Sequence, residues 1–448
     1  MLSPHAARDR AADLVERARR AGADAADATY SASASESIQV RLGKLEDVER
    51  SEGEHMALRV FIGQRSASIG SSDLSDRALD ELAARAIDMA RAAPEDRFAG
   101  LAPQELLGHG PWPELDLVDA REPSPQDLRE MALAAEDAAM GVAGVTNSEG
   151  ASASAGRGLF ALATSHGFAD AHESTSRGVS ATVLAGEGAA KQRDYAWRQA
   201  NHGADLPPPD EIGHLAGERA VARLDPGRLK SGPMPVVFDP RVAGTLVGHL
   251  LGAMSGTAIA RRASFLLDRL DEQLFDSAVV IAEEPHRRRG LSSRPFDGEG
   301  LPTRARNLVE GGRLTGWLMD SASARQLGLA PTGHAARGHG GAPGVTTSNV
   351  HLAAGTASPA ELMADIRDGV YVNELIGQGV NGVTGDYSRG AAGFRIVDGQ
   401  LAGPVSQFTI AGNLLAMFRA LTPANDLEWY RALNVPTIRV DGMTIAGD

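Results

Sequence analysis

The sequence predicts an α+β protein, with an N-terminal α/β domain of antiparallel strands and helices and a C-terminal domain rich in β structure. Segments with helically spaced apolar residues stand beside segments in which apolar and polar residues alternate. At 448 residues and 43% apolar content, the chain exceeds the size at which a single core stops growing, about 250 to 300 residues. We therefore expect two domains, 1–229 and 230–448, with a further break near 94–118 in the first.

The first elements are predicted from caps and alternation. Ser3 can cap a helix that Gly22 ends. Short alternating runs within 25–72 then predict an antiparallel meander. Ser75 can cap a second helix, and a loop rich in proline and glycine follows it at 94–113.

A second unit repeats this order. A helix is predicted near 124–140, and strands rich in glycine, serine and alanine follow over 142–198. Another helix near 210–223 leads into a proline- and glycine-containing linker at 224–235. The main domain boundary is therefore placed near Lys230.

The C-terminal half begins with a short apolar strand, 236–238, and a helix predicted from about residue 240 to 260. Glycine-punctuated loops follow at 292–300 and 331–344. Further strands are expected near Leu308, Phe394 and Ile438.

Charge and composition exclude several classes of function. The chain has 58 acidic and 44 basic residues and a formal net charge of −14, which would repel a nucleic acid backbone. We interpret the basic run Arg287-Arg288-Arg289 as a solvated loop in preference to an anion site. There is no cysteine, the first ten residues lack the apolar core of a secretory signal, and no apolar run reaches about 18 residues. We expect a cytoplasmic protein that binds neither nucleic acid nor a membrane.

A catalytic zinc site needs two imidazoles on one helix face, a carboxylate as general base and a third ligand. No HExxH motif is present, and the apolar helix 244–253 carries a single histidine, His249. His334 and His339 are the best remaining pair, but they lie in a glycine-rich stretch without a nearby carboxylate. We predict no metal ligand and no catalytic residue in this chain.

The segment 296–300 (FDGEG) carries two carboxylates on a loop hinged by glycines. Asp297 and Glu299 could receive a peptide amine or a basic side chain. An Asp-Gly turn with solvated charges is the simpler interpretation when this segment is considered alone.

Taken together, several segments resemble the TldD/PmbA family, also called the modulator of DNA gyrase family, and they occur in that family's order. The resemblance spans nearly the whole chain and is most specific in the C-terminal half. The segments that carry it are 57–63 (ALRVFIG), 145–150 (VTNSEG), 235–240 (PVVFDP), 293–300 (SRPFDGEG), Thr332-Gly333 with Arg337, 385–390 (GDYSRG) and 410–414 (IAGNL).

In that family the TldD-type subunit carries an HExxxH helix and a cysteine ligand near its C-terminus. Matching this helix to the sequence puts Gly248 and Ala253 at the histidine positions and His249 at the glutamate position. The chain therefore resembles the PmbA/TldE type of subunit, which pairs with a TldD-type subunit in a heterodimeric zinc peptidase acting on short or unfolded peptides. His334 departs from the family pattern, because asparagine is expected after Thr-Gly.

The resemblance implies that the C-terminal domain encloses part of a peptidase chamber at the subunit interface, where substrate joins a sheet edge as an added strand. It implies no cofactor in this chain, zinc in the partner, and a TldD-type partner or a second copy of the chain. The substrate-groove candidates are Ser293, Arg294, Asp297, Glu299, His334 and Arg337.

Two alternatives remain beside a non-catalytic chamber subunit. One is a standalone peptide-binding homodimer. The other is an autonomous peptidase with an unconventional metal site, such as His334 with His339.

Overall fold

The N-terminal region is built on one antiparallel sheet of six strands in the computed structural model, which describes residues 1–338, 340 and 342–448. The order of the strands in the sheet is β3-β2-β1-β4-β5-β6. Their bounds are β1 Ala25–Arg41, β2 Lys44–Ile62, β3 Arg65–Ser71, β4 Val145–Thr164, β5 Ala169–Ala185 and β6 Gln192–Ala200.

Four helices accompany this sheet, and side-chain caps fix three of their starts. The hydroxyls of Ser3 and Ser75 accept hydrogen bonds from backbone amides in the first helical turn, as predicted. Ser124 forms a reciprocal capping box with Asp127. The helices are α1 Pro4–Arg20, α2 Asp76–Ala92, α3 Pro125–Met140 and α4 Pro209–Ala222.

Alternating residues of β1 point to the two faces of the sheet, which pack against different parts of the protein. Successive side chains of a strand point to opposite faces, and even-numbered residues such as Tyr30 and Val40 are buried in the clusters that contain the helices. Asp27 and Thr29 are also buried, but they have the opposite parity. One face of the sheet is therefore covered by helices, and the other face is available to the C-terminal region.

The C-terminal region, from Gly232 onward, contains most of the shorter elements. Its helices are α5 Pro240–Ala253, α6 Gly256–Ala260, α7 Ser321–Leu327, α8 Pro359–Met363 and α9 Leu414–Arg419. Its strands are β7 Gly232–Phe238, β8 Ile281–Glu283, β9 Arg306–Glu310, β10 Arg313–Leu314, β11 Ala335–Ala336, β12 Gly344–Val345, β13 Val350–Leu352, β14 Asp368–Ile376, β15 Asp386–Val397, β16 Gln400–Asn413, β17 Leu421–Pro423, β18 Leu433–Asn434 and β19 Ile438–Ala446.

The largest C-terminal sheet closes on itself. Its order is β16-β15-β14-β7-β19-β17, and an additional pairing joins β16 to β19. A second sheet has the order β10-β9-β8-β13-β18, and β11 pairs with β12. Helix α5 packs against these strands through an apolar face that includes Leu246 and Leu250. The predicted α+β class is confirmed.

The single helix predicted over 240–260 is divided in the structure. Helix α5 ends at Ala253, and α6 begins at Gly256. Between them the Met254 carbonyl accepts a hydrogen bond from the Leu318 amide (3.0 Å), and the Gly256 amide donates to the Leu318 carbonyl (2.7 Å). These hydrogen bonds to a distant segment take the place of helical hydrogen bonds. The local apolar pattern could not predict them.

An aromatic cluster joins the two regions. The Phe296 ring lies 4.9 Å from that of Phe168, 5.4 Å from His172 and 5.5 Å from Trp112, measured between centroids. Burial, together with the charge of Arg294, lowers the pKa of His172 to about 4, so this ring is neutral near pH 7. The loop 292–300, which is predicted to contact substrate, therefore packs through Phe296 against apolar residues of the N-terminal region.

Within the described part of the chain, no helix is both long and apolar enough to cross a membrane.

Candidate functional site

Helix α5 carries the three positions at which the family motif would place its two histidines and its glutamate. The Asp239 carboxylate accepts a hydrogen bond from the Arg241 amide (2.8 Å) and caps the helix. Ala253 is on the buried face, whereas a Cβ atom added to Gly248 would meet nothing within 4 Å. Glycine is therefore not required at position 248 by packing within this chain.

His249 lies between the core and the open face of α5, the side of the helix at Gly248 and Gly252 where an added Cβ would meet nothing within 4 Å. Its ring centroid is 6.2 Å from that of Tyr387. Burial, and then the positive charge of Arg389, lowers the pKa of His249. The Nε2 atom of His249 is buried and has no hydrogen-bond partner among the described residues.

These residues do not fit a catalytic zinc ion. Gly248 and Ala253 have no ligand atom, and the chain has no cysteine to supply a thiolate. In the part of the chain that the structure describes, no three histidine, aspartate or glutamate side chains are grouped so that they could hold a metal ion. We derive no catalytic step through a metal on this chain.

Asp297 lies inside the protein, with an exposed fraction of 2%. Its Oδ1 accepts hydrogen bonds from the amides of Glu299 (2.9 Å) and Leu301 (3.0 Å), and its Oδ2 accepts one from the amide of Ala335 (3.0 Å). Burial, and then the charge of Glu299, raises the pKa of Asp297 from 3.8 to about 7, although these amides oppose the shift. Asp297 joins its own loop to β11.

Glu299 points toward the N-terminal sheet. One carboxylate oxygen accepts a hydrogen bond from the Ser321 amide (2.8 Å), and the other lies 3.6 Å from a guanidinium nitrogen of Arg59. That second oxygen is buried without a hydrogen-bond partner among the described residues. Glu299 thus contributes, from the C-terminal region, to a charge cluster between the two regions.

Asp27 is the centre of this cluster. Its carboxylate pairs with Arg59 on the neighbouring strand and with Arg337 of the C-terminal region. Burial alone would raise the pKa of Asp27, but the two guanidinium groups hold it below its usual range. The Arg337 side chain is 2% exposed, so this predicted groove residue connects the two regions.

His334 is also buried. Its Nε2 lies 2.7 Å from a Glu283 carboxylate oxygen, and its Nδ1 lies 2.8 Å from the Thr332 hydroxyl. Ser348 donates to the other Glu283 oxygen through its amide (2.6 Å) and its hydroxyl (2.8 Å). Burial opposes ionisation of Glu283, but the hydrogen bonds from His334 and Ser348 hold its pKa below the usual range. His339 lies outside the described residues.

Ser293 and Arg294 complete the predicted groove set. The Ser293 hydroxyl donates to the Arg287 carbonyl (2.6 Å) and accepts from the Asn349 side-chain amide (2.7 Å). Arg294 donates to the Thr346 carbonyl (3.0 Å). The structure thus brings the six predicted residues into one region, in which four are buried and Arg294 and Arg337 are partly buried, and each contacts other parts of the chain.

Sequence reasoning missed the N-terminal members of this region and the partner of His334. Asp27 and Arg59 are paired in register on β1 and β2, and Glu283 lies on β8. The available signal was Arg59, a charge inside the apolar run 57–62 (ALRVFI). Charged residues in such a run are rarely buried unless they are paired, but its partners come from distant segments.

Three family models match the chain in order: PmbA/TldA metallopeptidase domain 1 at residues 26–90, the central domain at 119–224 and the C-terminal domain at 231–447. Metalloprotease PmbA of Escherichia coli O157:H7 is 38% identical over 426 residues, which cover 95% of this chain and 92% of that protein. The chain belongs to the PmbA/TldD family of metallopeptidases.

Other relatives agree with this assignment. The metalloprotease PmbA homologue of Haemophilus influenzae is 34% identical, with 97% of this chain and 94% of that protein covered. A candidate modulator of DNA gyrase from Bacteroides thetaiotaomicron has a crystal structure with a TM-score of 0.92, 26% identity and full coverage of both chains. TldE from Thermococcus kodakarensis shares the fold, with a TM-score of 0.86 at 20% identity and coverage of 98% and 100%.

Proposed function

We propose that this chain is the non-catalytic, PmbA/TldE-like subunit of a two-chain zinc peptidase that degrades or processes short or unfolded peptides. A TldD-type partner with an HExxxH helix supplies the zinc and the general base. The observation that carries this proposal is helix α5, where Gly248, His249 and Ala253 stand at the motif positions and supply neither the ligands nor the carboxylate that such a centre requires.

The surroundings of α5 support a role at a subunit contact. Added Cβ atoms at Gly248 and Gly252 would meet nothing within 4 Å in the described chain. His249 Nε2 lacks a hydrogen-bond partner within the described chain, and buried polar groups are usually paired. A partner subunit that covers this face would supply the missing contacts and exclude bulk water from the chamber.

The environment of His334 argues against an autonomous peptidase. Both of its ring nitrogens already lie within hydrogen-bond distance of protein oxygens, at 2.7 Å from Glu283 and 2.8 Å from Thr332. A metal ligand needs a free nitrogen lone pair and an open coordination position nearby. The relatives named metalloproteases support peptide chemistry, whereas this chain's contribution to it is chamber and substrate contact.

The six residues of the predicted groove would shape the chamber indirectly. Glu299 and Arg337 join the C-terminal region to Arg59 and Asp27 of the N-terminal sheet. The other four hold the 292–300 loop and β11 within the C-terminal region, and together they would position the wall that a peptide meets. A cytoplasmic location and a heterodimeric assembly belong to the same proposal. A homodimer would be the assembly if the TldD-type chain did not bind.

Titration of the two purified subunits against each other tests this function. Chelator-sensitive cleavage of an unstructured peptide is expected to rise until the subunits are equimolar and to be absent with either chain alone. Size-exclusion chromatography should show the mixed complex at the same ratio. Cleavage by this chain alone, in a preparation free of the partner, would refute the proposal.

A further inference from the structure

A cavity of about 530 Å³ lies outside the buried region described above. It is formed by the end of edge strand β6, the loop 287–291 and the segment 428–434. Leu206, Pro207 and Leu291 give it apolar surface. Its cationic lining comes from Arg198, Arg287, Arg288, Arg289 and Arg431.

Aromatic rings hold three of these arginines in place. The guanidinium carbon of Arg287 lies 3.4 Å from the ring centroid of Trp429. The corresponding distance is 4.4 Å from Arg198 to Tyr430 and 5.0 Å from Arg431 to Trp197. Stacking restricts a guanidinium group while its N–H edge stays available to a planar anion.

Two of the arginines already have firm carboxylate partners. Arg288 and Arg289 contact the Asp116 carboxylate at 3.0 Å and 2.7 Å, and Arg289 also contacts Asp205 at 3.1 Å. These pairs fix the 287–291 loop against the N-terminal region. They do not depend on a ligand.

The other arginines are less completely paired. Arg198 contacts the carboxylate of Glu428 at 3.2 Å, and the Glu428 side chain is 64% exposed. Arg287 lies 3.4 Å from Glu284. The Nε of Arg431 is buried without a hydrogen-bond partner among the described residues. An incoming carboxylate could therefore displace Glu428 and bind the stacked guanidinium groups.

The charge balance selects the kind of anion. The five arginines exceed by one the carboxylates that contact them, which leaves one net positive charge. These carboxylates are Asp116, Asp205, Glu284 and Glu428. This suits a singly charged carboxylate better than a phosphate group, which carries about −1.5 to −2 charges near pH 7. The apolar part of the lining suits a side chain beside that carboxylate.

We propose that this cavity binds the C-terminal carboxylate of a short peptide, with the last side chain of the peptide against Leu206 and Leu291. Strand β6 is at the outer edge of its sheet and ends at the cavity, so the preceding peptide residues can run beside its backbone. The choice of a peptide as ligand rests on the proposed function. The site differs from the predicted groove and gives a ligand-binding role to Arg287, the first residue of the basic run.

The test uses the isolated full chain and an unstructured peptide ending in leucine, prepared as the free acid and as the C-terminal amide. Calorimetry and tryptophan fluorescence measure binding, because Trp197 and Trp429 contact the arginines of the cavity. The amide should bind at least about tenfold more weakly, since it is neutral and offers the guanidinium groups one acceptor oxygen instead of two. Equal binding of both peptides, or no binding of either, would overturn the proposal.

Variants and a second anion make the test specific. Arg198→Gln should abolish the preference for the free acid, whereas Glu428→Gln should strengthen its binding by removing the internal competitor. Arg77→Gln is the matched control, because this arginine is 83% exposed on α2. Inorganic phosphate that competes as strongly as the free-acid peptide would overturn the peptide assignment. Weaker binding by Glu428→Gln would also contradict it.

This test separates the inference from the proposed function because it omits the partner. Selective binding of the free acid, together with no cleavage by the mixed subunits, would refute only the proposed function. Cleavage by the mixed subunits without selective binding would refute only the carboxylate site.

Discussion

Gly248 occupies a position that packing within the described chain leaves open. It lies within α5, and a Cβ there would contact nothing within 4 Å. Gly248→Ala should raise the free energy of unfolding of the isolated chain by about 0.5–1 kcal/mol, because alanine loses less backbone entropy in a helix. Urea denaturation followed by circular dichroism measures this change.

Gly213→Ala provides the matched control on α4. A Cβ at this position would lie 1.9 Å from the Ala135 carbonyl oxygen, so the substitution should destabilise the chain. Loss of stability in both variants would show that the face of α5 near Gly248 is occupied within the chain and would remove the support it gives to a subunit contact.

Asp297 should make stability depend on pH. Its pKa is raised from 3.8 to about 7 by burial and by Glu299. Between about pH 4 and 7 the unfolded chain has already lost the proton that the folded chain retains on Asp297. The contribution of Asp297 to stability therefore falls as pH rises from about 4 to 7, and it is constant above about pH 7. The free energy of unfolding of the wild type minus that of Asp297→Asn should therefore decrease over this range.

Denaturation of both proteins at several pH values between 4.5 and 7.5 measures this difference, and changes common to other acidic groups cancel in it. A difference that does not change with pH would show that Asp297 is ionised throughout. The three amides that contact its carboxylate would then outweigh its burial.

At the scale of elements, Asp27 connects β1 to β2 through Arg59 and to the residue that follows β11, Arg337. Asp27→Asn would leave Arg59 and Arg337 without their common carboxylate in a buried site. Removing one partner of such a pair costs about 3–5 kcal/mol, because the remaining charge is uncompensated. The midpoint of urea denaturation should fall accordingly.

The control is Asp368→Asn, which breaks a pair with Arg395 on the surface, where both side chains are about half exposed. Exposed pairs contribute about 0–1 kcal/mol. Equal losses in the two variants would contradict a special role for the Asp27 cluster in joining the two regions.

The elements differ in how far the sequence could predict them. Ser3, Ser75 and Ser124 cap their helices through contacts three residues away, so local pattern was sufficient. The division between α5 and α6 depends on Leu318, more than 60 residues further along the chain, and the closure of the C-terminal sheet depends on β16 meeting β19. Contacts of this kind have no signal in a local sequence window.

The candidate site divides in the same way. Motif resemblance identified Asp297, Glu299 and Arg337, because these residues lie in recognisable segments. It could not show that their side chains are directed toward Asp27 and Arg59, because that geometry depends on how two domains pack. The arginine cavity was missed for a similar reason, since Arg198 and Arg431 are far in sequence from the run 287–289.

At the scale of the whole molecule, the chain combines the fold of a peptidase family with an α5 helix whose residues cannot hold the expected metal. The buried cluster keeps the two regions together, and the open face of α5 is available to a second subunit. Our central claim is therefore that the metal centre belongs to the partner, while this chain supplies a wall of the chamber and contacts with substrate.

The zinc content of the purified chain after mild dialysis tests this claim most directly. Elemental analysis should find far less than one zinc per chain, whereas a TldD-type partner treated in the same way should retain about one, as its single HExxxH motif requires. About one zinc per chain in this protein, lost on His334→Ala without loss of helical circular dichroism, would contradict the account and favour an autonomous metal site.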